Sequence, residues 1–448
     1  MLKKRLDIIQ LSDHFDYKRL LRFTFPSIIM LIFTSVYGVV DGFFVSNYVG
    51  KTAFTAVNFV IPVLMILSSV GFMFGTGGGA LIALTLGKGH REKADSLFSM
   101  LLYISLALGI LLTVVGLLFL RPIFTFLGAE GALLKDCLLY GRIILPAIPA
   151  AILQYEFQCL FATAGKPQLG LYITLAAGLT NAVLDALFTA VLPWGLPGAA
   201  VATAMGQCVG GILPIFYFAR PNTSLLRLTR ARFDGRALLK ICTNGSSELL
   251  SNISSSLVSM LYNVQLLRYA GEDGVAAYGI LMYVNFIFSA AYIGFSVGVA
   301  PIIGYHYGAG GFGEMKSLFK KSLKVIGAFA LLMFASSLLL ARPLSLMFVS
   351  YDEKLLAMTL DGFSIFAFSF LFAGFAIFGS GFFTALNDGL TSALISSLRT
   401  LIFQVASVLI LPLIWGLDGI WLSVVASELL AALTAAAFLV GKRRKYRY

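Results

Sequence analysis

The chain has 448 residues, 59% of them hydrophobic and only 12% charged, with a mean hydropathy of +0.90. That composition excludes an ordinary water-soluble globular protein. The formal net charge of +12 does not point to a nucleic-acid partner, because the lysines and arginines lie in short loops and near the two ends.

Taken in order, the opening MLKKRLDIIQLSDHFDY has no cleavable signal pattern. The first predicted membrane helix runs from about Phe23 to Val45 and carries one charge, Asp41. A carboxylate in hydrocarbon costs roughly 2.5–3.5 kcal/mol on insertion scales, so Asp41 is a functional candidate. Tyr37 lies one turn before it on the same face. Pro26 lacks an N–H and is a candidate hinge. The second predicted helix, about Phe54 to Leu86, contains GTGGGA, Gly75 to Ala80. That stretch lacks the Lys-Ser/Thr of a phosphate loop and fits close helix packing. Further helices are predicted at about Ser96–Leu120, Leu138–Phe161 (with Glu156 and Gln158), Gln168–Leu192 (with Asn181 and Asp185) and Pro197–Phe218 (with Thr203). After a basic connector, six more follow at about Ile241–Tyr269, Val275–Tyr307, Leu318–Leu340, Leu355–Phe383, Leu390–Leu413 and Gly419–Val440, and a tail GKRRKYRY. The reading is an all-α integral membrane protein of twelve spans.

If both termini are cytoplasmic, 25 Lys/Arg lie on the inner side and seven on the outer, with Arg399 inside the eleventh span. This asymmetry sets the expected orientation in the inner cell membrane, and the inner basic clusters are expected to contact anionic membrane lipids. The four cysteines form no CxxC pair, and the three histidines are scattered. No structural metal and no cofactor are expected. No motif requires a second subunit, and a monomer is expected.

A shift of 221 residues superposes landmarks: Gly50 on Gly271, Gly87 on Gly308, Arg121-Pro122 on Arg342-Pro343, Trp194-Gly195 on Trp415-Gly416. Six helices per repeat give two parallel, pseudo-symmetric six-helix lobes. The expected boundaries are 1–220 for the N-lobe, 221–240 for a cytoplasmic connector and 241–448 for the C-lobe. Such an architecture suits a transporter with its substrate site between the lobes.

The lobes differ in their acids. The repeat mates of Asp41, Asp185, Asn181 and Glu156 are Tyr262, Ala406, Ile402 and Ile377. Asn181 and Asp185, spaced i, i+4, share a helix face. With Asp41, Gln158, Thr203 and Tyr37 they are candidates for one polar cluster. Carboxylates sharing a buried site do not all ionise, so the cluster suits a proton or a small cation, with sodium possible at Asp41, Asn181 and Asp185. On the seventh helix Glu248, Ser251, Asn252, Ser255, Ser259 and Asn263 form a polar stripe expected to line a cavity. Glu156, Glu248, Asn252 and Tyr262 are the candidate substrate contacts.

The stretches VDGFFVSNYVG, GFMFGTGGGALIALTLGKG, TNAVLDALF with GLPGAAVATAMGQ, and GFSVGVAPIIGYHYGAG with GLDGIW together resemble the multidrug and toxic compound extrusion (MATE) transporters over nearly the whole chain. The resemblance implies two lobes in a V and an efflux antiporter coupled through an acid on the first helix, here Asp41; the excess of intramembrane acids over bases leads us to expect a cationic amphiphilic cargo. It also implies an Asn and an Asp on the fifth helix, here Asn181 and Asp185, and a hydroxyl on the sixth, here Thr203. Relatives place an Asn on the fourth helix where this chain offers Gln158. A second branch binds sodium in the other lobe, and Glu248 matches the first of its acids. The rival reading is a lipid-linked oligosaccharide flippase of the same superfamily. It would need bases in the cavity, for which Arg399 and Arg142 are the candidates. No HExxH or GxSxG motif suggests an enzyme.

Overall fold

The computed structural model describes residues 9–349 and 352–448; Lys3, Lys4 and Arg5 of the basic N-terminal tail lie outside them. The first six long helices are α1 (Tyr17–Phe44, continued as a wider π-turn over Val45–Val49), α2 (Lys51–Gly87), α3 (Arg91–Phe126), α4 (Gly131–Ile144 and Ile148–Thr163, joined through Leu145–Ala147), α5 (Pro167–Asp185, continued by the π-turn Ala186–Val191) and α6 (Leu196–Ala219). An unbroken run of helical hydrogen bonds, Gly235–Gly308, is bent at Gly271 (φ 65°, ψ −153°) into α7, residues 235–270, and α8, residues 272–308. Then come α9 (Phe312–Val349), α10 (Glu353–Phe366 and Phe370–Ala385), α11 (Gly389–Ser397, the π-turn Leu398–Phe403 and Gln404–Ile410) and α12 (Pro412–Tyr446, bent at Gly416). Among the described residues eleven helices are long and apolar enough to cross a membrane; α7, more polar because of its stripe, completes the twelve.

Some of the helices begin where a side chain satisfies free backbone N–H groups. Asp16 accepts from Arg19 N at the start of α1, Asp234 from Ala237 N before α7, and Asp352 from Lys354 N and Leu355 N before α10. The repeat is visible in the backbone as well. Gly50 and its mate Gly271, and Gly195 and its mate Gly416, all have positive φ, a conformation that excludes most side chains. The connector is shorter than 221–240, because the Asp234 cap starts α7 at Gly235. It lies along α3, where Asp95 accepts from Arg227 N (2.9 Å) and Ser99 from Thr229 N (2.8 Å).

Helices α1–α6 form one lobe and α7–α12 the other, with one departure from the 1–220 boundary. Leu11, Phe15, Leu20, Phe23 and Ile28 are buried in the apolar core of the C-lobe, whereas Val45 belongs to a core of the N-lobe. The first turns of α1 therefore belong to the other lobe. Their fit is close: a Cβ at Gly294 of α8 would lie 2.6 Å from Ile28 Cα, and one at Gly298 3.1 Å from Thr24 Cα. Pro26 is buried at this crossing, within an unbroken α1.

The lobes meet most closely at the end where both described chain ends lie. The glycines of GTGGGA do what packing glycines do. A Cβ at Gly75 would press on Cys159 and Glu156 of α4, and one at Gly77 would run into the Ile241 carbonyl of α7. Gly245 sits on the Met73 carbonyl, Gly87 on that of Tyr305, and Gly308 on that of Leu84. Asn387 also donates across this seam to Ala80 O at 3.2 Å. Toward the other end Ser255 and Ser259 of α7 are exposed.

Candidate functional site

Close packing of α1, α5 and α6 sets the site. Gly178 on α5 leaves room for the Phe33 and Tyr37 rings of α1, and Gly206 on α6 fits against Ala177 and Asn181 of α5. These approaches bring the 41, 181, 185 and 203 side chains together. Thr203 Oγ1 donates to Asp41 Oδ1 at 3.1 Å, and Asn181 Nδ2 donates to Thr203 Oγ1 at 3.4 Å. The carboxyl of Asp185 adjoins that of Asp41. Asp41 is 8% exposed, Asn181 3% and Asp185 0%, so the group is shut inside the N-lobe.

The donors and acceptors of this group do not balance. Both oxygens of Asp185 and Oδ1 of Asn181 are buried without a hydrogen-bond donor. A buried acceptor left unpaired costs free energy, and two adjoining carboxylates also repel. A proton shared by the two acids, or a small cation among these oxygens, removes both costs. The helices are locally widened here: π-turns begin at Val45, one turn after Asp41, and at Ala186, the residue after Asp185. Such turns interrupt the regular ladder and recur at functional sites.

The other candidates fall in different places. Gln158 reaches α1 but meets Thr34, at 3.4 Å, two turns from Asp41. Tyr37 lies next to Gln154 and Tyr155 of α4, with Asp41 in electrostatic reach. Glu248 lines a cavity of about 50 Å³ between the lobes, together with Thr76, Cys159, Ser296 and Thr384. Asn252 stands one turn further along α7, and its amide donates to Glu248 O at 2.8 Å.

Two expected cavity contacts are elsewhere. Glu156 is fully buried inside the N-lobe beside Ser105 of α3. It is the backbone of Glu156 that faces α2, so the carboxyl points away from the interlobe cavity. Tyr262 is fully buried in the C-lobe, stacked on Tyr278 at 5.3 Å. Its hydroxyl is held by Gln404 Oε1 (2.8 Å) and Ser423 Oγ (2.7 Å), which is a packing role.

The structure adds two features that the sequence reading left out. Tyr140 of α4 is buried beside Thr203 and faces both acids of the cluster. In the C-lobe, Arg399 Nε bonds both carboxylate oxygens of Glu428, at 2.8 and 3.1 Å. Glu248 lies within electrostatic reach of Arg399. An acid within the last span was a legible signal for Glu428; nothing set Tyr140 apart from the other aromatics.

A profile of the MatE family matches residues 26–187 and, a second time, 249–410, once in each lobe. The chain is 25% identical over 434 residues to the multidrug export protein MepA of Staphylococcus haemolyticus (strain JCSC1435), covering 96% of this chain and 94% of that one. It is 24% identical over 420 residues to MepA of Staphylococcus aureus (strain NCTC 8325 / PS 47), covering 94% and 92%. The solved outward-facing conformation of a multidrug resistance MATE family transporter of the MOP superfamily superposes with a TM-score of 0.92 at 22% identity, covering 99% of this chain and 100% of that one. A MATE in the straight conformation gives 0.92 at 21% identity and one in the bent conformation 0.89 at 22%, both covering 99% of this chain and 100% of the other. At these identities the structural likeness speaks for the fold.

Proposed function

The chain belongs to the MatE family, whose members are membrane transporters, and from that premise we propose that it is a secondary active antiporter exporting cationic amphiphilic compounds. The exchanged ion is a proton or sodium, held at Asp41 and Asp185 with Asn181 and Thr203. The observation that carries this reading is the meeting of two buried acids with unpaired acceptors and no base in the cluster. The likeness to the MepA proteins along most of both chains supports export of drugs as the role.

The exchange has a mechanical route through α1. One end of this helix carries Asp41 in the N-lobe; the other packs on α8 of the C-lobe through Thr24 and Ile28. Pro26 lies at that crossing. Loading an ion at Asp41 removes the repulsion between the acids and lets α1 and α5 close together. The displacement is passed along α1 to the interlobe seam, and the cavity beside Glu248 changes with it. Bound cation and bound cargo then disfavour each other, and the linkage is reciprocal.

The Lys/Arg asymmetry supports cytoplasmic termini; in that orientation the glycine-packed end of the interlobe seam is cytoplasmic and the other end faces outward. Arg399 is engaged by Glu428, which removes one of the two bases that a pyrophosphate-bearing flippase substrate would require and favours a cationic cargo. The test is uptake of ethidium into inverted vesicles holding the purified protein, with proton and sodium gradients imposed one at a time. Uptake driven by one gradient supports the antiport; no uptake under either refutes it.

A further inference from the structure

We propose that the outer face of the C-lobe carries a binding site for one anionic phospholipid, in the groove between α9, α10 and α12. The groove has a volume of about 530 Å³ and its walls are apolar, formed by Phe319 and Leu323 of α9, Phe375 of α10, and Leu433 and Ala436 of α12. It opens outward, since Leu433 is 58% and Val440 76% exposed.

One end of the groove is different in kind. Lys316 and Lys320, one turn apart on α9, face Arg443 near the end of α12, and the groove has no Asp or Glu side chain among its lining residues. The nearby acids are already committed: Glu314 to His14 and the backbone of Phe15, Asp388 to Lys442 and Tyr446. Among the described residues Lys316 and Lys320 pair with no carboxylate. Arg443 is held in place by its Nε bond to Tyr448 O at 3.0 Å, and the Tyr448 ring packs on Phe319 at 4.9 Å and Phe382 at 4.8 Å.

Three cations at one end of an apolar trough match an amphiphile with an anionic head. Lysine stems lie along apolar surface while their ammonium groups stay at the interface, where an anionic leaflet attracts them. From Arg443 back to Leu429 the helical rise is about 21 Å, enough to accompany an acyl chain through one leaflet of hydrocarbon, roughly 15 Å. The shape selects for chains and the rim for negative charge, so a zwitterionic lipid satisfies only half of the site.

The experiment is native mass spectrometry of the full chain in detergent, titrated with phosphatidylglycerol or with phosphatidylcholine of the same acyl chains. Wild type is expected to retain one phosphatidylglycerol at least tenfold more tightly than phosphatidylcholine, and soluble glycerol phosphate is expected not to compete. Lys316→Gln/Lys320→Gln/Arg443→Gln is expected to abolish the preference. Ala436→Trp, which fills the trough and keeps the charge, is expected to weaken binding at least tenfold. Arg230→Gln/Arg232→Gln/Lys240→Gln, an equal charge loss near the connector, is expected to change nothing. Equal retention of both lipids by wild type overturns the proposal without any variant. So does undiminished binding by the rim or the trough variant, a loss in the connector variant equal to that at the rim, or competition by glycerol phosphate.

Discussion

Thr203 of α6 donates its hydroxyl to Asp41 of α1 at 3.1 Å, and this bond joins two helices at the point where Asp185 of α5 brings a second carboxyl. The hydroxyl proton is thereby committed, so it cannot serve Asp185. Two adjoining buried carboxyls do not both ionise unpaired, so on the proposed function the second acid is neutral or shares a cation. Asp41→Asn supplies a permanently neutral group of the same shape. It is expected to insert and fold as wild type does and to lose concentrative export at least a hundredfold, measured as ethidium efflux from energised vesicles.

The cluster acts as one unit if its groups hold one ion. Asp185→Asn and Asn181→Ala are each expected to lose most of the gradient-driven transport, and each combined with Asp41→Asn is expected to add less than a twofold further loss. Groups in one network are non-additive in this way. Losses that multiply in the double variants would assign the two α5 residues separate structural tasks. Thr203→Ser, which keeps the hydroxyl, is expected to transport; Thr203→Val, which removes it, is not.

The Arg399–Glu428 pair is a structural test of the C-lobe. The Arg399 side chain is 20% exposed and that of Glu428 8%. Removing one partner strands the other, at a cost of roughly 3 kcal/mol. Arg399→Met and Glu428→Met are each expected to lower the thermal transition in detergent. The double Met variant is expected to recover most of the loss, because the pair's desolvation penalty goes with it. A double variant as unstable as the sum of the singles would show that the two side chains act independently, with no coupling between them.

Asp388 sits between α10 and α11. Burial alone would push its carboxyl up, but hydrogen bonds from Lys442, Tyr446 and Thr391 and the Lys442 charge outweigh it and hold the group below the usual carboxylate range. Depression of a folded-state pKa means stabilisation that is present in full above the unfolded value, about 3.9, and fades as pH falls through the folded value. Asp388→Asn is therefore expected to melt earlier than wild type by a constant margin from pH 8 to 5. Melting curves should converge only below about pH 4.

The twelve spans were legible because each is a long apolar run; their ends were not, because a helix continues into its polar loop for as long as caps and packing allow. The fourth span illustrates this: the structure starts it at Gly131, before the apolar run at Leu138. Asp41, Asp185 and Asn181 could be grouped from charge within a span, i, i+4 spacing and their absence from the second repeat, with Thr203 as the hydroxyl that the sixth helix offers them. Glu156 and Tyr262 show the limit of that logic. A polar residue turned into a lobe and one turned toward the cleft leave the same mark on one helix. Only the packing of α4 on α3, and of α7 on α11 and α12, separates them. The crossing of α1 into the C-lobe core was hidden for a related reason: Phe23 and Ile28 are apolar in either lobe. Tyr140 needed the fold, since nothing in its neighbours marks one aromatic among many.

The exchange itself is tested most directly by following the ion that leaves as cargo binds. Ethidium is added to the purified protein in weakly buffered, sodium-free solution with a pH indicator, and separately to protein equilibrated with radioactive sodium. Wild type is expected to release protons in the first case or sodium in the second, close to one ion per dye bound, and Asp41→Asn is expected to bind dye and release neither. Dye binding to wild type with no release of either ion, or equal release by Asp41→Asn, would contradict coupling through this pair of acids.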